Sequence, residues 1–128
     1  MTTENSIKTA ILFCLSAVIL GAFGAHAFKE VLSESQLNSF QTGIRYQFFH
    51  GLAILILSLN ATHFTSKLNS ILRIMIAGII LFSFSIYLLS LQDLIGISLS
   101  ILGPFTPIGG FLLISAWIVL FFSVKKQE

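Results

Sequence analysis

The sequence predicts an all-α membrane protein, a four-transmembrane-helix bundle with a short interfacial helix between helices 1 and 2. Three observations predict it. Charged residues make up 9% of the 128-residue chain and hydrophobic residues 55%, with a mean hydropathy of +0.95, whereas a soluble domain carries about 25% charged residues. A chain this short has a large surface for its volume, so much of that surface must be apolar, and lipid is the solvent that tolerates it. Apolar stretches at residues 7–28, 44–64, 71–91 and 107–124 reach or approach the roughly 20 residues that a helix needs to cross about 30 Å of hydrocarbon. Runs such as Leu52-Ala53-Ile54-Leu55-Ile56-Leu57 do not alternate apolar with polar, as a barrel strand would. One transmembrane domain, residues 1–128, is expected.

The first stretch carries Lys8, an apolar core and the small-residue tripeptide Ala25-His26-Ala27, features it shares with a secretory signal. Its length is that of a full span, so it is expected to be retained. Ala10, Cys14, Ala17, Gly21 and Ala25 recur at steps of three or four, which puts them on one smooth stripe. Helices in lipid associate by close packing, so Ala17, Gly21 and Ala25 are expected to form a helix-packing face, towards this chain or another protomer. Cys14 sits inside that stripe and reads as a small packing residue, not a reactive thiol.

Residues 29–43 form the only substantial polar segment. Ser33-Glu34-Ser35-Gln36 is a capping box, and Leu37, Phe40 and Ile44 follow at helical spacing. This predicts a short amphipathic helix at the interface, with Gly43 allowing a bend into span two; a plain surface loop is the alternative. After span three, the apolar run 94–102 is too short to cross a bilayer and reads as re-entrant or interfacial. Gly103-Pro104-Phe105-Thr106-Pro107 then ends it, with Thr106 as N-cap and Pro107 opening helix four.

Lys8, Lys67, Arg73, Lys125 and Lys126 flank the spans on one side, and only Lys29 and Arg45 on the other. Basic residues favour the cytoplasm, so both termini are expected there. A net charge of +2 with scattered basic residues gives no nucleic-acid footprint.

The residues with chemical capacity are few. His26 lies three residues before Lys29, and His50 five after Arg45, which predicts two histidines at similar depth near the outer ends of antiparallel spans. A candidate polar site follows, made of His26, Arg45, Gln47 and His50, with Asp93 on the same side. Ionisable groups at membrane depth are costly and often functional, although histidines bonded to backbone carbonyls, tying helices together, account for the same residues. Two histidines fall short of the three or four ligands of a zinc site, and nothing requires a bis-histidine haem, so no metal and no cofactor is expected. His63 ends span two and reads as interfacial. Gly-rich phosphate loops, nucleophile elbows and zinc-protease motifs are absent from the sequence, and no catalytic residue is assigned. Ser83 and Ser85 read as interhelical hydrogen-bonding residues.

Gly21-Ala22-Phe23-Gly24-Ala25-His26-Ala27 and Phe40-Gln41-Thr42-Gly43-Ile44-Arg45-Tyr46-Gln47-Phe48-Phe49-His50 resemble the first two blocks of the YgdD/YwdK-type family of small uncharacterised membrane proteins. Leu81-Phe82-Ser83 with Tyr87-Leu88-Leu89, and Thr106-Pro107-Ile108-Gly109-Gly110, resemble its third and fourth. The blocks occur in order and cover nearly the whole chain. The resemblance implies a four-helix bacterial inner-membrane protein, with relatives in eukaryotes and no assigned activity; the apolar insert 94–102 departs from it, where a shorter link is expected. Three function classes follow. The favoured one is a non-enzymatic module that packs against a partner or binds lipid or a small ligand; the others are a subunit of a small transporter or channel and a cofactor-binding redox subunit. Spans two to four offer only scattered serines and Asn60, too little for a polar pathway through a lone chain. The expected partners are membrane lipid, a second copy of the chain or another membrane protein.

Overall fold

The computed structural model describes residues 1–126 and is built almost entirely of helix. Helix α1 is Thr3–Ala25, α2 is Glu34–Leu59, α3 is Leu68–Ile95 and α4 is Phe105–Phe121. Short 3₁₀ turns at Phe28–Glu30, Ala61–His63 and Ser100–Leu102 fill the links. Three of the helical segments, Thr3–Ala25, Leu68–Ile95 and Ser100–Phe121, are long and apolar enough to cross a membrane. The fourth, α2, has 26 residues, about 39 Å at 1.5 Å each, but a polar first half.

Each helix packs mainly on its neighbour in sequence: α1 on α2, α2 on α3, α3 on α4. Ala10, Phe13, Ile54, Leu57, Ile71, Met75, Ile79, Leu113, Ala116 and Leu120 form one buried cluster. The outside is strongly apolar, with Leu12, Val18, Phe111, Phe121 and Phe122 all more than 60% exposed. In water such a surface would aggregate; in a bilayer it meets lipid tails. This is a membrane protein.

The start of α1, the link 60–67 and the C-terminal segment gather at one end of the bundle. There the Thr65 N–H donates to the Ser123 carbonyl at 2.9 Å, the Lys125 N–H to that of His63 at 2.9 Å, and the Lys125 ammonium to that of Thr62 at 3.0 Å. Links 26–33 and 96–104 occupy the other end.

The Ser33 capping box forms as expected: the Ser33 hydroxyl accepts from the Gln36 N–H at 3.3 Å, and the Gln36 carboxamide oxygen from the Ser33 N–H at 2.9 Å. The separate interfacial helix does not exist. The helix it opens runs without a break through Gly43 to Leu59. Leu37, Phe40 and Ile44 are continued at the same spacing by Gln47, Gly51 and Ile54, so one face serves the whole length and nothing calls for a bend. Gly43 serves a close approach instead. A Cβ there would lie 2.7 Å from the Tyr87 ring.

Helix α3 holds one π-helical turn, Ile80–Phe84. Such a turn inserts a residue and re-aims the side chains that follow. Below it α3 buries Leu68, Ile71, Leu72, Met75 and Ile79; from it onward it buries Ser83, Ser85, Tyr87 and Ser90. The helix ends at Gly96, with φ at +76° and its N–H on the Gln92 carbonyl at 2.9 Å. Beyond it Ile97 and Ile101 are exposed, so the 94–102 segment has no protein cover of the kind a re-entrant loop requires. Its exposed apolar side chains suit the interfacial alternative. Thr106 is not the cap of α4, which begins one residue earlier with Pro104 at its N-cap; its hydroxyl is engaged by Ser85 at 2.7 Å.

Candidate functional site

The polar groups of the bundle meet between the helices, around Gln47. Its side chain is fully buried and lies on the continuous inner face of α2. The carboxamide nitrogen donates to the Phe13 carbonyl at 2.9 Å and to the Ser16 hydroxyl at 2.7 Å, both on α1. Its oxygen accepts from the Tyr87 hydroxyl of α3 at 2.9 Å. One side chain thus joins three helices with both amide hydrogens and its oxygen engaged. A second tie lies nearby, where the Ser83 hydroxyl donates to the Gly43 carbonyl at 2.8 Å. The π turn and the side-chain-free backbone of Gly43 make room for both.

His50 connects α2 to α4. The Trp117 indole N–H donates to its Nε2 at 3.0 Å, and its Nδ1 lies 2.8 Å from the Tyr46 carbonyl. An indole nitrogen only donates and a carbonyl only accepts, so Nε2 must be bare and Nδ1 must carry the proton. His50 is a neutral imidazole with both nitrogens occupied, stacked on Tyr46 at 5.8 Å and edged by Trp117 at 6.0 Å. Trp117 is the only tryptophan in the chain, which makes this bond observable. His50→Phe is expected to shift the tryptophan emission to shorter wavelength. The associated stability loss should be only about 0.6 kcal/mol, the usual worth of an interhelical hydrogen bond in lipid. An unchanged spectrum would mean that the indole does not donate to His50.

The four residues of the expected polar site do not converge. A Cβ at Gly24 would touch Phe40, and one at Gly51 would touch Phe13 and Cys14. His26, two residues beyond Gly24, therefore sits level with the outer part of α2, about twelve residues or roughly 18 Å from His50. It is exposed at the C-cap of α1. The assumption of equal depth failed because α2 starts at Glu34, which puts Arg45 and His50 three or more turns inside the helix. Arg45 is exposed on the far side of α2 from Gln47, its Nε on the Gln41 carbonyl at 3.4 Å. Asp93 accepts from the Gln36 carboxamide at 2.7 Å, and His63 is exposed at the opposite end. Among the described residues no group of three His, Cys, Asp or Glu is placed to hold a metal ion.

The small-residue stripe of α1 is met in part. Ala10 and Ala17 are buried against α2 and Gly21 is half-buried, but Ala25 is exposed and Gly24 takes the inner position. Steps of four advance about 40° each around a helix of 3.6 residues per turn, so the second step from Ala17 rotates off the contact, whereas a step of seven stays on it. Cys14 packs beside Gly51, its sulfur 4.0 Å from the Phe48 carbonyl.

Tyr87 and Trp117 are the functional-looking residues that the pattern reading left out. The available signal was chemical: a phenol and an indole on apolar helices each need a partner.

Residues 20–110 match a family described as a protein of unknown function, DUF423. Among similar proteins, a UPF0382 membrane protein of Staphylococcus aureus is 37% identical over 115 residues, covering 90% of each chain. The UPF0382 membrane protein YwdK of Bacillus subtilis is 36% identical, covering 88% of this chain and 89% of its own. One from Haemophilus influenzae is 34% identical over 116 residues, covering 91% and 87%. This chain belongs to the DUF423 family. The expected YgdD/YwdK-type relationship is thereby shown. No solved structure matches the chain. Within this DUF423 protein, the segments that carried the resemblance also supply Gln47, His50, Ser83, Tyr87 and Thr106, the side chains that tie the helices together.

Proposed function

We propose that this chain is a four-span, non-enzymatic module of the bacterial inner membrane, with both termini and the link 60–67 in the cytoplasm. It acts by holding lipid or a membrane partner against a rigid bundle. The observation that carries this reading is the mutual satisfaction of the polar groups around Gln47 and His50. Gln47, Tyr87, Ser83, His50 and Trp117 are engaged with one another or with backbone carbonyls. Groups so engaged lock helices together, and none of these five side chains is left as a free base or ligand.

For α2 the supporting argument is its neighbours. It lies between α1 and α3, both long and apolar enough to span, and its 26 residues are sufficient. Basic residues set the direction: Lys8, Lys67, Arg73 and Lys125 lie towards the end that holds the termini.

Fusions of an export-dependent phosphatase test the topology. The enzyme joined after Lys126 is expected to be inactive, and the same enzyme inserted at Gly103 to be active. Activity at Lys126 would overturn the orientation, and activity at only one of two sites on either side of α2 would show that α2 crosses.

A further inference from the structure

We propose that the cavity at the end of the bundle holding both termini binds a phosphate group, that of an anionic phospholipid or of a free phosphate. The cavity has a volume of about 440 Å³ and is lined by α1, the end of α2, the link 60–67, the start of α3 and Lys125. This inference rests on the reading of the chain as a lipid- or ligand-holding membrane module.

Two buried hydroxyls at the cavity, Ser58 Oγ and Thr65 Oγ1, have no hydrogen-bond partner. Ser58 is only 4% exposed. Buried polar groups are paired in the great majority of cases, and an orphan calls for an explanation. This chain has the ordinary solution to hand elsewhere: Ser6, Ser16 and Thr42 each donate to the carbonyl four residues earlier. Ser58, in the last turn of α2, does not. Its hydroxyl is left without a partner among the described residues, in a residue that lines the cavity.

The rest of the lining states what that is. Among the described residues it holds hydroxyls, the Asn69 carboxamide and the Lys125 ammonium, and no carboxylate. Lys67 stands at the N-cap of α3 and Arg73 in its second turn, at the same end of the bundle, and the one acid at this end among the described residues, Glu4, is paired with Lys8. The surroundings are donor-rich and cationic, which suits a ligand that only accepts. Helix α3 begins here with no side-chain cap at Lys67, so its N-terminal dipole adds to the same preference. Met1, Phe64 and Leu72 line the remainder, an apolar wall suited to the glycerol and upper acyl carbons of a lipid.

The test uses the purified full chain in detergent, titrated by native mass spectrometry with phosphatidylglycerol, diacylglycerol and inorganic phosphate. Wild type is expected to retain phosphatidylglycerol and not diacylglycerol. The Ser58→Ala/Thr65→Val variant removes hydroxyls that make no bond within the chain, so its melting temperature without ligand should not fall. Its affinity for phosphatidylglycerol should drop by about tenfold per hydroxyl, the worth of a hydrogen bond to a charged acceptor. Binding of inorganic phosphate that is lost in the variant identifies a free phosphate as the ligand; lipid binding without it identifies the headgroup. Equal affinities of wild type and variant for both phosphatidylglycerol and inorganic phosphate, or equal retention of diacylglycerol, overturns the proposal. Should the double variant fail to fold, Ser58→Ala alone and Lys125→Gln are read in the same way. Failure of the four-span topology would appear in the phosphatase fusions and would leave these binding ratios untouched.

Discussion

Gly109→Ala is expected to destabilise the bundle by about 2–3 kcal/mol, although alanine is the better helix former. A Cβ at Gly109 would lie 2.8 Å from the Leu81 carbonyl carbon and from Phe82 Cα, and closer still to the Phe82 nitrogen. These are backbone atoms of the π turn and cannot rotate aside. Either α4 must back away from α3 or the wide turn must close, and both disturb Ser83 and Tyr87. Gly78, opposite, is similarly tight, with the Leu113 side chain 2.7 Å from its would-be Cβ. The control is one residue away. A Cβ at Gly110 would rest 3.6 Å from the Phe82 ring, an ordinary contact, so Gly110→Ala should be neutral or slightly stabilising. Equilibrium unfolding in mixed micelles measures both. Equal behaviour of the two variants would mean that the helices are not in backbone contact at the π turn.

Gln47→Leu is expected to cost about 2–3 kcal/mol. The substitution nearly conserves volume and so isolates the polar loss. It removes two donated bonds to α1 and leaves the Tyr87 hydroxyl buried without an acceptor. An orphaned hydroxyl carries a penalty of about 1–3 kcal/mol, whereas removing both partners of a pair is milder. Tyr87→Phe alone should therefore destabilise by about 1 kcal/mol, and adding it to Gln47→Leu should add nothing or recover part of the loss. That non-additivity is the signature of a direct bond. Strictly additive losses would mean that Gln47 and Tyr87 do not bond to each other.

Hydropathy and end signals made much of the architecture legible. The spans expected at 7–28, 71–91 and 107–124 lie within or close to α1, α3 and α4, because each is a run in which neighbouring residues share one solvent preference. The Ser33 capping box was readable because its partners stand three residues apart. The break expected at Gly43, between an interfacial helix opening at Ser33 and a span starting at residue 44, is absent, since a polar first half lowers hydropathy without ending a helix. That error carried into the site. Depth was counted from flanking charges, and once α2 begins at Glu34, Arg45 and His50 no longer mark the rim. Ser83 and Ser85 were read correctly as interhelical hydrogen-bonding residues, but their partners were not, because Gly43 and Thr106 lie 40 and 21 residues away in the chain.

The sequence by itself determined that this chain is helical and lives in lipid, because helix formation and transfer from water are sums over residues adjacent along the chain. Which polar side chain meets which was decided only by the tertiary structure. Those meetings depend on the register between helices and on one inserted residue in the π turn of α3. A single-residue change there rotates every later side chain by about 100°, and no local pattern encodes where the rotated group will find its partner. Gln47 reaches α1 and α3, and His50 reaches Trp117 of α4, because the four helices set their depth and facing together.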